Sequence, residues 1–272
     1  MGKSNGNQII GCMRFSYISK GGFAHSHDPQ EEQERLIYAA DRMERRFKLF
    51  EHFALKSLKQ QTDQDFKCIF LITQTFPAEY RQRLEDLIGD WSPGIIIAKP
   101  FMPQFRAIRA CYEEVQDDEL RWITSFRLDD DDMLDKRFVE RVRRLALPLA
   151  RVRGDGNPLI ISFNKGVYLE IGEDENRIFD ACERTPLSVG AAMITHTGKR
   201  ENIYSRNHRK LAAFFPAYSE LDEPSWLRTV HQDNDSIPEF TGILDKREPS
   251  EVDQWLADGF DVSREWLMEF GR

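Results

Sequence analysis

The sequence predicts an α/β fold, with a mostly parallel central sheet flanked by helices and a C-terminal antiparallel and helical elaboration. Short apolar runs at 66–72, 94–98 and 121–128 are bounded by turn-forming residues and have the length of buried strands. Segments with helical spacing, 77–88 and 104–115, separate them. Strands that alternate with helices pair in parallel and are covered on both faces. A chain of 272 residues, 40% hydrophobic and 31% charged, is long enough to build one such core.

In chain order, residues 8–17 predict a first strand and 18–28 a loop containing Gly, His25 and His27. A long helix is expected over 29–61, because Leu36, Ile37, Ala40, Met43, Phe47, Phe50, Phe53, Ala54 and Leu58 keep helical spacing, with a break near Asp41. Two βα units follow, and 121–128 predicts the fourth strand. Residues 137–147 then read as a helix that Pro148 would end. Runs at 159–163, 166–171 and 177–181 predict an antiparallel meander. The small apolar stretch 188–194 suits either a backbone that approaches a ligand or a tight core crossing. Beyond residue 200 the sequence predicts a basic helix, a turn-rich stretch over 219–238 and an acidic tail bearing tryptophan.

Composition excludes several classes. A net charge of −8 argues against general affinity for nucleic acid, although residues 137–153 and 199–210 make local basic surfaces. No apolar run approaches the roughly 20 residues of a membrane span, and the first residues lack a signal peptide's apolar segment, so a cytoplasmic location is expected. Cys12, Cys68, Cys111 and Cys182 are widely spaced, as reduced core residues are.

Asp129, Asp130, Asp131 and Asp132 stand at the end of the fourth predicted strand, where open parallel sheets bind ligands. Adjacent carboxylates raise one another's pKa unless a cation neutralises them, and hard oxygen donors suit Mg²⁺, Mn²⁺ or Ca²⁺. Alternate residues of an extended chain share a face, which sets Asp129 and Asp131 apart from Asp130 and Asp132. Asp130 and Asp132 could alternatively cap the helix that follows. An EF-hand reading fails at Met133 and Leu134, which occupy the loop's fifth and sixth positions.

The string Ser57-Leu-Lys-Gln-Gln-Thr-Asp63, followed by Asp65-Phe66, resembles the junction of first helix and second strand in family-two glycosyltransferases. Arg127-Leu-Asp-Asp-Asp-Asp-Met-Leu134 resembles that family's acidic motif. A closer resemblance is to a bacterial rhamnosyltransferase family, through Arg14-Phe-Ser16, Arg42-Met-Glu-Arg-Arg-Phe47, Phe50-Glu51, Gln61-Thr-Asp63, Arg127 to Asp132 and Trp226-Leu-Arg-Thr-Val-His231. It implies a single domain of GT-A type, with residues 7–135 binding a nucleotide sugar and 136–272 forming the acceptor half and tail. It also implies transfer of a sugar, rhamnose among the candidates, from a nucleotide diphosphate donor to a glycan or lipid-linked acceptor, with inversion. Two departures stand out: Leu71-Ile-Thr-Gln-Thr-Phe-Pro77 lacks the acid that usually ends the second strand, and no Gln-x-x-Arg-Trp motif is present.

Mn²⁺ or Mg²⁺ is the expected cofactor, with Asp131 as principal ligand, Asp129 as ligand or ribose contact, and His231 as a third metal or diphosphate ligand. Asp130 and Asp132 would support them. For an inverting transfer one carboxylate must take the acceptor's proton, and Asp222, Glu223 and Glu220 precede Trp226 where the family carries its base. Arg14, Arg106, Arg109 and Arg127 are candidates for base, ribose or phosphate contacts, since guanidinium forks onto phosphate oxygens. Peripheral membrane contact is compatible with a lipid-linked acceptor. Two other functions use the same residues: a nucleotidyltransferase that attacks at phosphorus, and a non-catalytic nucleotide- or glycan-binding protein.

Overall fold

Residues 6–21, 26–154, 156–232, 242, 244 and 246–271 are described by the computed structural model. Strand β1 (Asn7–Arg14) sends Ile9 and Met13 to one face and Ile10 and Cys12 to the other, so it is buried on both sides. The expected long helix is broken into α1 (Gln30–Ile37), α2 (Ala40–Leu49), a π-helical turn (Phe50–Leu55) and α3 (Lys56–Lys59). Then come β2 (Lys67–Thr73), α4 (Ala78–Ile88), β3 (Gly94–Lys99), α5 (Gln104–Val115) and β4 (Trp122–Arg127). After the four aspartates follow β5 (Met133–Leu134), α6 (Phe138–Arg153), β6 (Leu159–Phe163), β7 (Lys165–Glu170), β8 (Arg177–Cys182) and β9 (Ala191–His196). The chain continues through α7 (Leu211–Phe214), β10 (Ala217–Glu220), β11 (Trp226–Val230), α8 (Pro249–Trp255) and α9 (Arg264–Glu269).

Seven strands form the main sheet in the order β10-β6-β9-β4-β1-β2-β3, parallel except for β9, which runs against both its neighbours. The chain leaves β1 towards β2 and β3, then returns to its other side with β4. The order therefore reverses between β1 and β4, and ligands bind beyond the carboxyl ends at such a point. Helices α2, α4 and α6 cover one face with Phe47, Leu84 and Phe138, while α5 and residues 203–211 cover the other. A second sheet, β5-β11-β7-β8, packs Met133, Val167 and Leu227 against Phe53, Leu256 and Phe260.

Several sequence expectations are corrected. Helix α6 runs through Pro148, because the proline lies on the exposed side, where the carbonyl it leaves unbonded can meet water, while Ala146 and Ala150 hold the buried side. Gly154, at φ 79°, ends the helix instead. The meander holds only for β7 and β8; β6 joins the main sheet, and the chain turns at Asn164, whose side chain donates to the Glu183 carbonyl at 2.6 Å. Stretch 188–194 leads into a core crossing, since β9 lies between β4 and β6. No helix longer than one turn forms in the basic stretch, which holds a 3-10 turn (His208–Lys210) and α7. Cys12, Cys68 and Cys111 are buried free thiols, and Cys182 is half-buried.

Candidate active site

The four aspartates occupy the loop between β4 and β5, and strand β11 fixes them. Leu227 pairs with Met133, so Thr229, two residues on, comes beside Asp131. Its backbone N–H donates to Asp132 Oδ1 and its hydroxyl to the Asp131 carbonyl, each at 2.9 Å. From the other side the Gln61-Thr-Asp63 motif clamps the start of α6. Gln61 Nε2 donates to the Asp135 carbonyl at 2.8 Å, Val139 N–H donates to Gln61 Oε1 at 2.9 Å, and Asp63 pairs with Arg143 at 2.5 Å. Asp135 and Gln61 thus serve the helix start, and Asp130 and Asp132 do not cap it.

Guanidinium groups balance the carboxylates. Arg46 of α2 donates to Asp130 Oδ1 and to Asp131 Oδ2, both at 2.9 Å, and His231 Nε2 lies 3.0 Å from the same Asp131 oxygen. Arg14, at the end of β1, donates to Asp129 Oδ1 at 3.2 Å, and Arg127 lies 3.6 Å from that oxygen. Arg127 also donates to the Ser188 carbonyl at 3.1 Å and stacks 4.6 Å over the Tyr204 ring, which answers how a charge survives inside an apolar strand.

The acids differ in protonation. Burial pushes Asp129 and Asp131 up, but Arg127 with Arg14, and Arg46 with His231, outweigh it and hold both below the usual carboxylate range. Burial wins at Asp130, pushed up to about 6 despite Arg46. It wins at Asp132 too, where the neighbouring Asp131 adds to it, and Asp132 lies well above the ordinary value. Asp129 is the more open of the anionic pair, its side chain 26% exposed against 6% for Asp131.

The other candidate residues have partners of their own outside the contacts just described. Arg106 is exposed on α5, with its guanidinium 5.9 Å from the Phe105 ring, and Arg109 pairs with Glu113 at 3.3 Å. Asp222 and Glu223 are exposed in the β10–β11 connection. The Glu223 carboxylate accepts from Arg137 at 2.7 Å, and Asp222 donates its backbone N–H to Glu220 Oε1 at 2.6 Å. Glu220 is buried in an ion pair with Arg141. His27 lies among the described residues without a contact to the quartet, and His25 lies outside the described residues.

Sequence reasoning missed Arg46, Arg228, Gln104 and Tyr204. Arg228 is raised above its ordinary value because Asp132 and its acidic neighbours outweigh its burial. Gln104 accepts from Arg14 at 2.8 Å, and Tyr204 donates to the Cys12 carbonyl at 2.5 Å beneath Arg127. Arg46 had a legible signal, since it stands in the buried stripe between Met43 and Phe47, where an arginine requires a buried acid. Tyr204 had none, being far from β1 in sequence.

Among the described residues no three His, Cys, Asp or Glu side chains form a ready-made metal cage. The donor chemistry nonetheless fits a hard divalent cation: two anionic carboxylates, Asp129 and Asp131, with an imidazole at 3.0 Å from the latter.

Carboxylates and guanidinium groups thus gather at the reversal point of a parallel α/β sheet, the place where such sheets bind ligands. The chain belongs to the glycosyltransferase family described as "Putative rhamnosyl transferase", whose model matches residues 8–243. Solved structures similar to it include Staphylococcus aureus TarS 1-349 with UDP-GlcNAc, at 9% identity and TM-score 0.45, covering 95% of this chain and 74% of that one. TarS 1-349 with UDP matches at 11% identity and TM-score 0.41, covering 82% of this chain but 60% of the other. A "putative nucleotide-diphospho-sugar transferase" from Desulfovibrio desulfuricans G20 matches at 10% identity and TM-score 0.36, covering 81% of each. No curated protein matches. Among the described residues no helix is long and apolar enough to cross a membrane.

Proposed function

We propose that the chain transfers a sugar, rhamnose being the family's own suggestion, from a nucleotide diphosphate donor to a glycan or lipid-linked acceptor, with inversion. The observation that carries this reading is the pairing of Asp129 and Asp131, both held anionic, with Arg14, Arg127 and Arg46 at the reversal point of the sheet. Arg14 and Arg127 converge on one oxygen of Asp129, and so lie where a diphosphate bound beside that carboxylate would meet both forks.

Asp129 and Asp131 would hold Mn²⁺ or Mg²⁺, with His231 as third ligand. When bound, such an ion neutralises charge on the departing diphosphate. Arg46 keeps Asp131 oriented and ionised, and Thr229 fixes the loop backbone. Deprotonation of the acceptor falls to Asp222 in preference to Glu223, whose carboxylate is committed to Arg137. A cytoplasmic site of action belongs to the same proposal.

The decisive experiment measures release of sugar and nucleoside diphosphate from a panel of nucleotide sugars with Mn²⁺, Mg²⁺ or EDTA. Activity should depend on the ion and be abolished in Asp131→Ala. Undiminished turnover in the Asp129→Ala/Asp131→Ala variant would overturn the metal assignment. Release of pyrophosphate would identify a nucleotidyltransferase. Tight Mn²⁺-dependent binding of a nucleoside diphosphate, seen as a thermal shift without turnover of any donor, would identify a binding protein.

A further inference from the structure

We propose that the outer face of the layer formed by α5 and residues 199–214 docks on an anionic phospholipid bilayer. This layer covers the second face of the main sheet, with Ala107, Ile108, Ile203 and Leu211 turned inward. Its outward side is basic in a chain that is acidic as a whole. From Lys199 to Lys210 five lysines and arginines face one acid, Glu201, whereas the chain carries −8. The glutamates of α5 are already engaged, Glu113 by Arg109 at 3.3 Å and Glu114 by Lys99 at 2.6 Å. What faces solvent therefore carries a local excess of positive charge.

Large apolar side chains accompany the charge. Phe214 is 56% exposed and Phe105 58%. Basic groups stack on both, Arg206 at 4.9 Å from the Phe214 ring and Arg106 at 5.9 Å from Phe105. Lys20, whose N–H donates to the Met102 carbonyl beside α5, stands 5.4 Å from Phe101. A soluble polyanion would need only the charges. Exposed aromatic rings among lysines and arginines match a bilayer surface, where rings enter the headgroup boundary and the cations meet lipid phosphates. Tyr204 ties this layer to the candidate site, because its ring lies under Arg127 and its neighbours run outward to Arg206. Docking would bring the site close to an acceptor held in the membrane. The docking claim itself stands without the sugar-transfer reading.

Co-sedimentation of the full chain with phosphatidylcholine vesicles containing roughly 30% phosphatidylglycerol, against vesicles of phosphatidylcholine alone, tests it. The chain should pellet with the anionic vesicles only, and added salt should release it. Arg206→Glu with Lys210→Glu should weaken binding at least about ten-fold, and Phe214→Ser several-fold, with unchanged thermal melting because all three side chains are exposed. Chain left in the supernatant with anionic vesicles, equal binding to neutral vesicles, variants that bind like the parent, or displacement by equimolar polyphosphate would each overturn the proposal. A donor-induced thermal shift reports separately on the nucleotide-sugar reading.

Discussion

Two buried arginines meet pairs of carboxylates in this molecule, and their surroundings put them to different uses. Arg141 lies between Glu220 and Asp135 with its guanidinium 4.9 Å from the Phe163 ring, and all three ionic side chains are almost fully buried. Burial pulls Arg141 below its ordinary range, and its Nη1 has no hydrogen-bond partner, with Asp135 3.8 Å away. Arg46 also meets two carboxylates, but Asp131 passes the contact on to His231, and the neighbouring Asp129 is partly open. The closed cluster joins β10 and the connection after it to the start of α6. The open one offers a charged group to whatever enters the cleft. Shared chemistry thus separates into structure and site according to what lies on the far side of the carboxylates.

The largest expected effect comes from the closed cluster. Arg141→Ala leaves Glu220 buried without its partner, which costs about 3–5 kcal/mol, and urea denaturation should show it. A loss below about 1 kcal/mol would mean that water enters and the cluster is not closed. Arg46→Ala should cost less, about 2–3 kcal/mol, because Asp130 is already pushed towards its neutral form and Asp131 keeps His231 as a partner, yet it should also remove the thermal shift produced by a nucleoside diphosphate. Equal stability losses in the two variants, with donor binding retained in both, would erase the contrast. His231→Ala removes one contact to Asp131 and should cost about 1 kcal/mol, with donor turnover falling much further than stability. Smallest is Arg137→Ala, which breaks an exposed pair with Glu223 and should change stability by no more than about 1 kcal/mol. If that substitution alters turnover sharply, Glu223 and not Asp222 is the better base candidate.

The alternation of β and α elements through residue 127 was legible because buried parallel strands are continuous apolar runs and the helices between them keep one apolar stripe. The second half was less so. Strands β6 and β7 are separated by the single residue Asn164, yet they enter different sheets, and local pattern carries no information about which partner a strand takes. Pro148 misled because its effect depends on which side of α6 it occupies. At the site, Asp129 to Asp132 announced themselves by charge, but their counter-charges come from α2, β1, β4 and β11, and sequence does not show that these elements meet. Arg46 is the exception, since its place in an apolar stripe already required a distant acid.

The antiparallel strand β9 has a consequence for how the chain emerges during synthesis. Until Ala191–His196 is made, β4 has no neighbour on its outer side, and the run that leads into the four aspartates is an open sheet edge more than sixty residues behind the growing end. Chains halted in that interval would carry an apolar, unpaired edge, the kind of surface that chaperones hold and that aggregates when they do not. The chain that follows brings residues 203–204 over β4 and β1, so that edge and the face beside it are covered together, before β11 arrives to fix the aspartates.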